Sequence, residues 1–304
     1  MRTFLVWSAI FSVVFLLLSM DPLKASEGER FLERSFYAFE TIDGLKIAYQ
    51  KVGDGPEVLI LIHGFMGNST NFEYLFDLLK DDFTLIAVDL PGFGLSEKNI
   101  KKPLSRRYMA QTVAKLAEKL NLDQYHVLGH SMGSEVAMWL ALDNPTRVKS
   151  LILLNSPICL SERNSIPNNI FTKVGLRLIF MNYNFQKKVF KDMLINEQNF
   201  DEKYFLKNYY LVYQTPSEVI FNLAENQDTS QLRENIGKIS VPTFIIWGEK
   251  DEVTPLKSAE CLLNTVKAKL SVIPDAGHLP MIDQPHAVAR TIEDIIFSSI
   301  SNRP

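Results

Sequence analysis

The segment 124–142 has the pattern of a short apolar strand, an abrupt turn and a helix. Its turn consists of Gly129, His130, Ser131, Met132 and Gly133, which fits the pattern G-x-S-x-G. A serine on so sharp a turn takes a strained backbone conformation, so the residues two positions before and after it need to lack a Cβ atom. The N–H groups at the start of the following helix then point back at the serine. The segment therefore predicts a reactive serine, Ser131, at the end of a sheet strand.

Apolar runs of strand length alternate with helical patterns along most of the chain. The strand-like runs cover residues 57–62, 83–88, 148–154, 241–247 and 270–273, and helical patterns cover 107–120, 255–266 and 286–300. Two further strand-like runs flank Asp43 and Gly44, a strong hairpin signal, and Ser69 or Thr70 can cap a helix that ends near Lys80. Strands that are apolar throughout suit a sheet buried on both faces. The pattern predicts an α/β fold with a mainly parallel sheet covered by helices on both faces.

Residues 158–240 break this rhythm, because strand-like runs vanish and helical periodicity with many aromatic residues takes over. We expect this block to be a helical cap inserted over one edge of the sheet. The predicted organisation is an N-terminal apolar segment (1–25), the first part of the α/β core (26–157), the cap (158–240) and the second part of the core (241–304). The aromatic residues fit a lid that shapes an apolar pocket, and packing within a helical subdomain alone also accounts for most of them.

A serine hydroxyl becomes a strong nucleophile only when a base takes its proton and an acid holds that base in one tautomer. On a scaffold with this serine turn, the acid and then the base follow the serine in the chain. Asp251 follows the strand-like run that ends at Trp247, and His278 follows the one that ends at Ile273. The carboxyl ends of parallel strands lie at one edge of a sheet, where such folds bind ligands. Ser131, Asp251 and His278 are therefore the candidate nucleophile, acid and base.

Other residues near these positions leave alternatives open. Glu249 and Glu252 lie close enough in sequence to replace Asp251 as the acid, whereas Asn155, at the end of another strand, lacks the charge. The remaining histidines suit other roles. We expect His63 to shape a loop, His126 to lie in a strand, the ring of His130 to pack behind the serine, and His286 to face solvent.

A tetrahedral intermediate needs two N–H donors directed at its oxyanion, each worth about 3–4 kcal/mol in known cases. The residue after the nucleophile supplies one donor, here Met132, and the loop after the first central strand supplies the other, here Phe65. Gly64 and Gly67 let that loop turn its N–H group inward. A glycine-rich strand exit without any such role is the alternative.

Several motifs occur in the order found in the α/β-hydrolase fold superfamily: His63-Gly64-Phe65, the loop 89–96, the turn 129–133, the segment 248–251 and Gly277-His278. The chain resembles that superfamily from about Phe36 to its end. Within the superfamily, the segment 239–251 and the apolar N-terminus resemble membrane-anchored monoacylglycerol lipases and small lipase-like esterases. This resemblance implies a carboxylic ester hydrolase that works through an acyl-enzyme on single-chain lipid esters such as monoacylglycerols, without a cofactor or metal ion.

Two other functions stay open within the same resemblance. One is a carbon–carbon bond or amide hydrolase with the same triad. His130 and Ser134 stand where carbon–carbon bond hydrolases of this superfamily usually have asparagine and glycine, which weakens that interpretation. The other is a non-catalytic ligand-binding protein, and the complete triad argues against it. A serine nucleophile also sets the chain apart from haloalkane dehalogenases and epoxide hydrolases, which use aspartate there.

Residues 4–20 are almost wholly apolar, follow Arg2 and end at Asp21-Pro22. The run is long for the apolar part of a signal peptide and slightly short for a membrane span. The nearest cleavage pattern, Leu23-Lys24-Ala25, is a poor match, which slightly favours a retained signal anchor over a cleaved signal peptide. The anchor predicts a catalytic domain held at a membrane outside the cytoplasm, and cleavage predicts a secreted or periplasmic protein. A mostly polar linker is expected at residues 26–34.

Charge and cysteine content exclude some classes of partner. The net charge of −3 over 304 residues argues against a nucleic-acid-binding surface. Cys159 and Cys261 are far apart in sequence, and we expect two buried thiols rather than a bridge. The histidines and cysteines do not have the spacing of a metal cluster. The expected partners are a small ester substrate, a lipid by the resemblance above, and a membrane.

Overall fold

The computed structural model describes residues 21–32, 37–160 and 170–301, so the apolar run 4–20 lies outside the described residues. The strands are β1 Tyr37–Ile42, β2 Leu45–Val52, β3 Glu57–Ile62, β4 Phe83–Val88, β5 Tyr125–His130, β6 Val148–Leu154, β7 Thr243–Gly248 and β8 Ala268–Ile273. The helices are α1 Pro22–Leu32, α2 Glu73–Leu79, α3 Arg106–Lys119, α4 Met132–Asp143, α5 Ile170–Met181, α6 Tyr183–Asp192, α7 Glu202–Tyr213, α8 Ser217–Glu225, α9 Thr229–Asn235, α10 Ser258–Thr265, α11 Pro280–Asp283 and α12 Pro285–Ser301. Short 3₁₀ turns occur at Ser69–Phe72, Glu197–Asn199 and Ile236–Lys238. Among the described residues, no helix combines the length and apolar character needed to cross a membrane.

The eight strands form one sheet in the order β1-β2-β4-β3-β5-β6-β7-β8. β2 is antiparallel to both of its neighbours, and the pairs from β4 to β8 are parallel. The β1–β2 hairpin turns at Asp43 and Gly44, whose φ angles of 50° and 81° are positive, as the sequence predicts. Near the centre of the sheet, Gly129 of β5 lies opposite Leu153 of β6. The parallel strands bring their carboxyl ends to the edge at which Ser131 follows β5.

Neighbouring side chains of the central strands enter two different apolar cores, one on each face of the sheet. Val127 of β5 packs with residues of α3 and α4, and the next residue, Leu128, packs with residues of α2 and α12. Side chains alternate between the two faces along a strand, so burial on both faces requires an apolar residue at each position. The predicted α/β fold, a mainly parallel sheet with helices on both faces, is confirmed.

In the part of the chain that the structure describes, five helices, α5 to α9, lie between β6 and β7. Their aromatic side chains pack against one another. The ring centroids of Phe190 and Phe205 are 5.5 Å apart, and those of Phe205 and Tyr209 are 6.2 Å apart. The helical content of this block agrees with the sequence pattern, while the proposed domain boundaries remain predictions.

The polar segment 26–34 is not a linker over residues 26–32, because those residues belong to α1, which packs on the cap helix α7. A Cβ atom on Gly28 would lie 2.1 Å from the carbonyl oxygen of Leu206, so the two helices approach closely at that point. The sequence hid this helix because its buried residues are few and mostly small: Ala25, Gly28 and Leu32. α1 therefore joins the residues that follow the N-terminal apolar run to the cap.

Cys159 and Cys261 form a disulfide bond, so the expectation of two buried thiols was wrong. Cys159 follows β6, Cys261 lies in α10, and 102 positions separate them. That separation conceals their proximity, because the cap occupies most of the interval while β6 and β7 are neighbours in the sheet. The bridge ties the segment that follows β6 to α10.

Candidate active site

Ser131 lies on the sharp turn between β5 and α4, with φ 50° and ψ −124°. A Cβ atom on Gly129 would lie 2.3 Å from the carbonyl oxygen of Gly133, and one on Gly133 would lie 2.3 Å from that of Ile62. No side chain fits at either position, which is the steric requirement that the sequence pattern implied. The strained serine conformation is held by the sheet, since its N–H donates to the carbonyl oxygen of Leu154 at 2.9 Å.

The structure brings together the three side chains that the sequence selected. Nε2 of His278 lies 3.1 Å from Oγ of Ser131, and Nδ1 of His278 lies 2.9 Å from Oδ2 of Asp251. A carboxylate only accepts, so Nδ1 carries the proton and Nε2 is free to accept one from the serine. Such a line of contacts can activate a hydroxyl group for nucleophilic attack.

Asp251 is a buried carboxylate surrounded by donors. Burial raises its pKa, but the hydrogen bond and charge of His278 and the contacts of Thr254 outweigh it and lower the pKa below the usual value. Its Oδ1 atom accepts from the N–H groups of Val253 and Thr254 at 2.8 and 2.9 Å. Glu249 and Glu252, the alternative acids, are both exposed. Asp251 is therefore the carboxylate that can hold the imidazole.

Two residues that sequence reasoning did not assign to the site also contact Asp251. Nδ2 of Asn155 donates to Oδ2 of Asp251 at 2.5 Å and to the carbonyl oxygen of Gly277 at 3.2 Å, and Oγ of Thr254 donates to the same Oδ2. Asn155 has a φ of 50°, an unusual value that asparagine tolerates better than most residues. Its place at the end of β6 was noticed in the sequence, but only as a poor substitute for the acid.

The loop that carries His278 is fixed by a further carboxylate that the sequence did not reveal. Asp283 accepts from the N–H of Gly277 at 2.8 Å and from the N–H of Ile195 at 3.1 Å. Burial raises the pKa of Asp283, and its backbone hydrogen bonds oppose that rise. The N–H of His278 itself donates to the carbonyl oxygen of Met193 at 3.2 Å. The backbone around the candidate base is therefore held by the segment that follows α6.

Two other histidines near the serine are buried and have hydrogen-bonding partners. Burial lowers the pKa of His130 to about 3, and its Nε2 donates to the carbonyl oxygen of His278 at 2.7 Å. Burial likewise lowers the pKa of His63 to about 4, and this ring donates to Gly64 at 2.7 Å and accepts from the N–H of Leu90 at 3.0 Å. Neither ring contacts the serine hydroxyl, which agrees with the shaping and packing roles expected from the sequence. His126 is buried in β5, and His286 is exposed, also as expected.

The two candidate oxyanion donors lie on segments next to Ser131. Met132 is the first residue of α4, where a backbone N–H has no acceptor within the helix. Phe65 lies in the loop after β3, and a Cβ atom on the preceding Gly64 would lie 3.0 Å from Cβ of Ser131. The N–H of Gly67 donates to the carbonyl oxygen of Gly64 at 3.1 Å and closes this loop. The use of both N–H groups to bind an oxyanion stays a prediction.

A cavity of about 490 Å³ adjoins Ser131 and His278 and extends along the cap helices. Most of its cap-side lining is aromatic or aliphatic and comes from α5, α6 and α7: Phe180, Phe185, Val189, Phe190, Phe205, Tyr209 and Val212. Phe65 and Phe185 are both 46% exposed at the mouth of the cavity. The site can therefore hold an apolar group against the reactive serine.

The sequence between residues 57 and 285 matches the family described as the alpha/beta hydrolase fold. The chain belongs to this family. A pimeloyl-[acyl-carrier protein] methyl ester esterase of Yersinia enterocolitica is 30% identical to it over 256 residues, which cover 82% of this chain and 96% of the esterase. Lipase 3 of a Moraxella species is 28% identical over 262 residues, which cover 78% of this chain and 76% of the lipase.

A solved structure is similar over the full length of the chain. The crystal structure of a bacterial membrane phospholipase A matches with a TM-score of 0.72 at 21% identity and covers 100% of both chains, which shows a common fold. The α/β-hydrolase resemblance predicted from the sequence is thus confirmed. The protein is a hydrolase of this family with esterases and lipases among its relatives.

Proposed function

We propose that this protein is a serine hydrolase that cleaves carboxylic esters, with single-chain lipid esters such as monoacylglycerols as substrates. The observation that carries the proposal is the unbroken line of contacts from Ser131 through His278 to Asp251 beside an apolar cavity. The esterase and lipase among the relatives support the choice of an ester bond.

The reaction follows from the positions of the three side chains. Nε2 of His278 removes the proton of Ser131 as Oγ attacks the ester carbonyl, and Asp251 stabilises the imidazolium that forms. The imidazolium then protonates the leaving alcohol, and the acyl group stays on the serine. In the second half, His278 activates a water molecule, which releases the acid and restores the serine.

The N–H groups of Phe65 and Met132 would bind the oxyanion of both tetrahedral intermediates. Each donor contributes about 3–4 kcal/mol to a reaction of this kind. Because the donors belong to the backbone of the loop after β3 and of the first turn of α4, they are in place before substrate arrives. This preorganisation is what makes such donors effective.

A lipid substrate is favoured by the apolar cavity and by the N-terminal sequence. The aromatic lining suits an acyl chain, and an anchor at residues 4–20 would hold the site beside lipid. The disulfide between Cys159 and Cys261 favours export, because such bonds persist mainly in oxidising compartments. We therefore propose a location outside the cytoplasm, at a membrane or in a secreted or periplasmic form.

The test is an ester panel with purified protein and the variant Ser131→Ala. The panel contains p-nitrophenyl esters from acetyl to palmitoyl, monoacylglycerols, amides and a vinylogous diketone. We expect kcat/KM to be highest for medium or long acyl esters and to vanish in the variant. Faster turnover of the amides or the diketone would contradict ester hydrolysis and support an amide or carbon–carbon bond hydrolase instead. A preference for acetyl esters would contradict the proposed lipid substrate but not the proposed ester hydrolysis.

A further inference from the structure

The main chain of His278 is held at both of its polar groups. Its N–H donates to the carbonyl oxygen of Met193 at 3.2 Å, and its carbonyl oxygen accepts from Nε2 of His130 at 2.7 Å. Met193 follows α6 and also lines the cavity beside Ser131. A residue of the cavity wall therefore contacts the backbone of the candidate base directly.

The chain that follows α6, which we call the post-α6 segment (residues 193–199), packs closely against the loop that carries His278. A Cβ atom on Gly277 would lie 2.8 Å from the carbonyl oxygen of Met193 and 3.2 Å from Cγ1 of Ile195. A side chain at position 277 would therefore force the two chains apart. Their close contact requires the glycine that precedes the base.

One buried carboxylate joins these two chains. Asp283 is only 5% exposed, and its oxygens accept from the N–H of Gly277 at 2.8 Å and from the N–H of Ile195 at 3.1 Å. On the side of the post-α6 segment it also contacts the N–H of Asn196, and its carbonyl oxygen accepts from Nδ2 of Asn199 at 3.0 Å. Separation of the chains would leave a buried carboxylate short of donors, which is costly. The two chains should therefore move together.

The post-α6 segment continues the wall of the cavity. Its neighbour α6 supplies Phe185, Val189 and Phe190 to that wall, and Met193 itself completes it. The N–H of Met193 donates to the carbonyl oxygen of Phe190 at 3.3 Å, so the end of the helix and the start of the segment are joined. An apolar chain that fills the cavity therefore contacts the element to which the loop of the base is attached.

We propose that Asp283 is a positioning residue that couples the filling of the cavity to the placement of His278. A chain bound along α6 orders the post-α6 segment, and the bridge through Asp283 orders the loop of the base with it. The inference rests on the proposed ester hydrolysis and adds the residue through which chain length acts on the reaction. Chain length then raises kcat and does not act on KM alone, because a well-placed base stabilises the transition state.

The main variant is Asp283→Asn, which keeps the size of the side chain but replaces one acceptor by a donor that faces N–H groups. The matched control is Asp228→Asn. Asp228 is 7% exposed, accepts from the N–H groups of Arg106 and Arg107 at 3.2 and 2.9 Å, and does not line the cavity. The second variant, Asn199→Ala, removes one donor on the side of the post-α6 segment and leaves the carboxylate in place. Circular dichroism and urea unfolding check that each variant is folded.

The first readout is kcat and KM, measured separately for p-nitrophenyl acetate and p-nitrophenyl decanoate. The wild type should have the higher kcat with decanoate. In Asp283→Asn, kcat for decanoate should fall about tenfold and kcat for acetate about twofold or less, with little change in either KM. Asn199→Ala should lower the ratio of the two kcat values about threefold. Asp228→Asn should keep the wild-type ratio.

The second readout is amide hydrogen exchange of the loop 276–279, measured by mass spectrometry with and without decan-1-ol. Exchange of the N–H of His278 requires that its hydrogen bond to Met193 opens, so it reports the contact between the two chains. Decan-1-ol should slow this exchange about fivefold in the wild type and in Asp228→Asn. It should slow the exchange about twofold or less in Asp283→Asn and in Asn199→Ala.

Three results would overturn this inference: equal kcat for both esters in the wild type, an equal fall for both esters in Asp283→Asn, or the same loss of the ratio in Asp228→Asn. If Asp283→Asn does not fold, a wild-type ratio and wild-type exchange in Asn199→Ala would overturn it instead. Hydrogen exchange does not depend on turnover. Absence of hydrolysis with every ester would therefore refute the proposed function separately, while exchange with decan-1-ol still decides the role of Asp283.

Discussion

Nδ2 of Asn155 lies 2.5 Å from Oδ2 of Asp251, the carboxylate oxygen that also contacts His278. Asn155 follows β6, which lies between the serine strand β5 and the acid strand β7. Its Oδ1 also accepts from the N–H of Gly248 at 3.2 Å. A neutral amide thus aligns the candidate acid from the neighbouring strand, and it does so without adding a second charge beside the imidazole.

Removal of this amide should weaken the reaction without weakening substrate binding. For Asn155→Ala we expect kcat to fall about tenfold with KM little changed, because Asp251 would hold the imidazole less well. Steady-state kinetics on a good ester checks this. The control is Asn121→Ala, since Asn121 has a similar φ of 55° and is exposed. An equal fall in the control would assign the loss to backbone strain.

The glycine two positions after the serine should tolerate no side chain. In Gly133→Ala the new methyl group would lie 2.3 and 2.5 Å from the carbonyl oxygens of Ile62 and His63, and both belong to the backbone. We expect the free energy of unfolding to fall by about 3 kcal/mol and activity to vanish. At Gly175, by contrast, an added Cβ atom would have no other atom within 4 Å. Gly175→Ala should therefore raise the free energy of unfolding by about 0.5–1 kcal/mol. Urea unfolding distinguishes the two, and a stable, active Gly133→Ala protein would disprove the close contact.

The disulfide should contribute to stability. Loss of a native bridge costs about 2–5 kcal/mol, so the double variant Cys159→Ser, Cys261→Ser should unfold at lower urea concentration than the oxidised protein. A reducing agent should lower the wild-type midpoint to that of the double variant and leave the variant unchanged. Identical midpoints for all samples would show that the bridge does not form in solution.

Burial of neutral histidines should make the fold sensitive to mild acid. The pKa is about 4 for His63 and about 3 for His130, whereas the ordinary value in an unfolded chain is 6.5. Below pH 6.5 these two histidines bind protons in the unfolded chain but not in the native state, so the free energy of unfolding falls as the pH is lowered. Each ring should contribute about 1 kcal/mol per pH unit near pH 5.5.

The comparison of two variants isolates this effect. Between pH 6 and pH 5, the free energy of unfolding should fall by about 1 kcal/mol less in His63→Gln than in the wild type. In His286→Gln, changed at an exposed position, it should fall as much as in the wild type. The measurement is urea unfolding at both values of pH. Equal pH dependence in all three proteins would refute the assignment to His63.

The fold could be predicted because local chemistry specifies it. The run Val58–Ile62 is apolar throughout, as suits a strand buried on both faces, and Asp43 with Gly44 is a sequence that favours a turn of positive φ. The steric demand at Gly129 and Gly133 likewise places Ser131 on a turn. Each of these signals is complete within a few neighbouring residues.

The features that the sequence concealed depend on contacts between distant segments. The bond of Asn155 to Asp251 and that of Asp283 to Gly277 require the strand order, which no single segment encodes. The same holds for the disulfide and for α1, whose packing depends on Gly28 meeting α7. Residues that support a site are therefore harder to predict than the residues that react.

The central claim is that His278 and Asp251 make Ser131 the nucleophile of this protein. A fluorophosphonate probe measures this directly, because it reacts with an activated serine and does not depend on the identity of the substrate. We predict labelling of the wild type on the peptide that contains Ser131, much slower labelling of His278→Ala, and none of Ser131→Ala. Labelling of Ser131→Ala at the wild-type rate, or an unreactive wild type, would contradict the account.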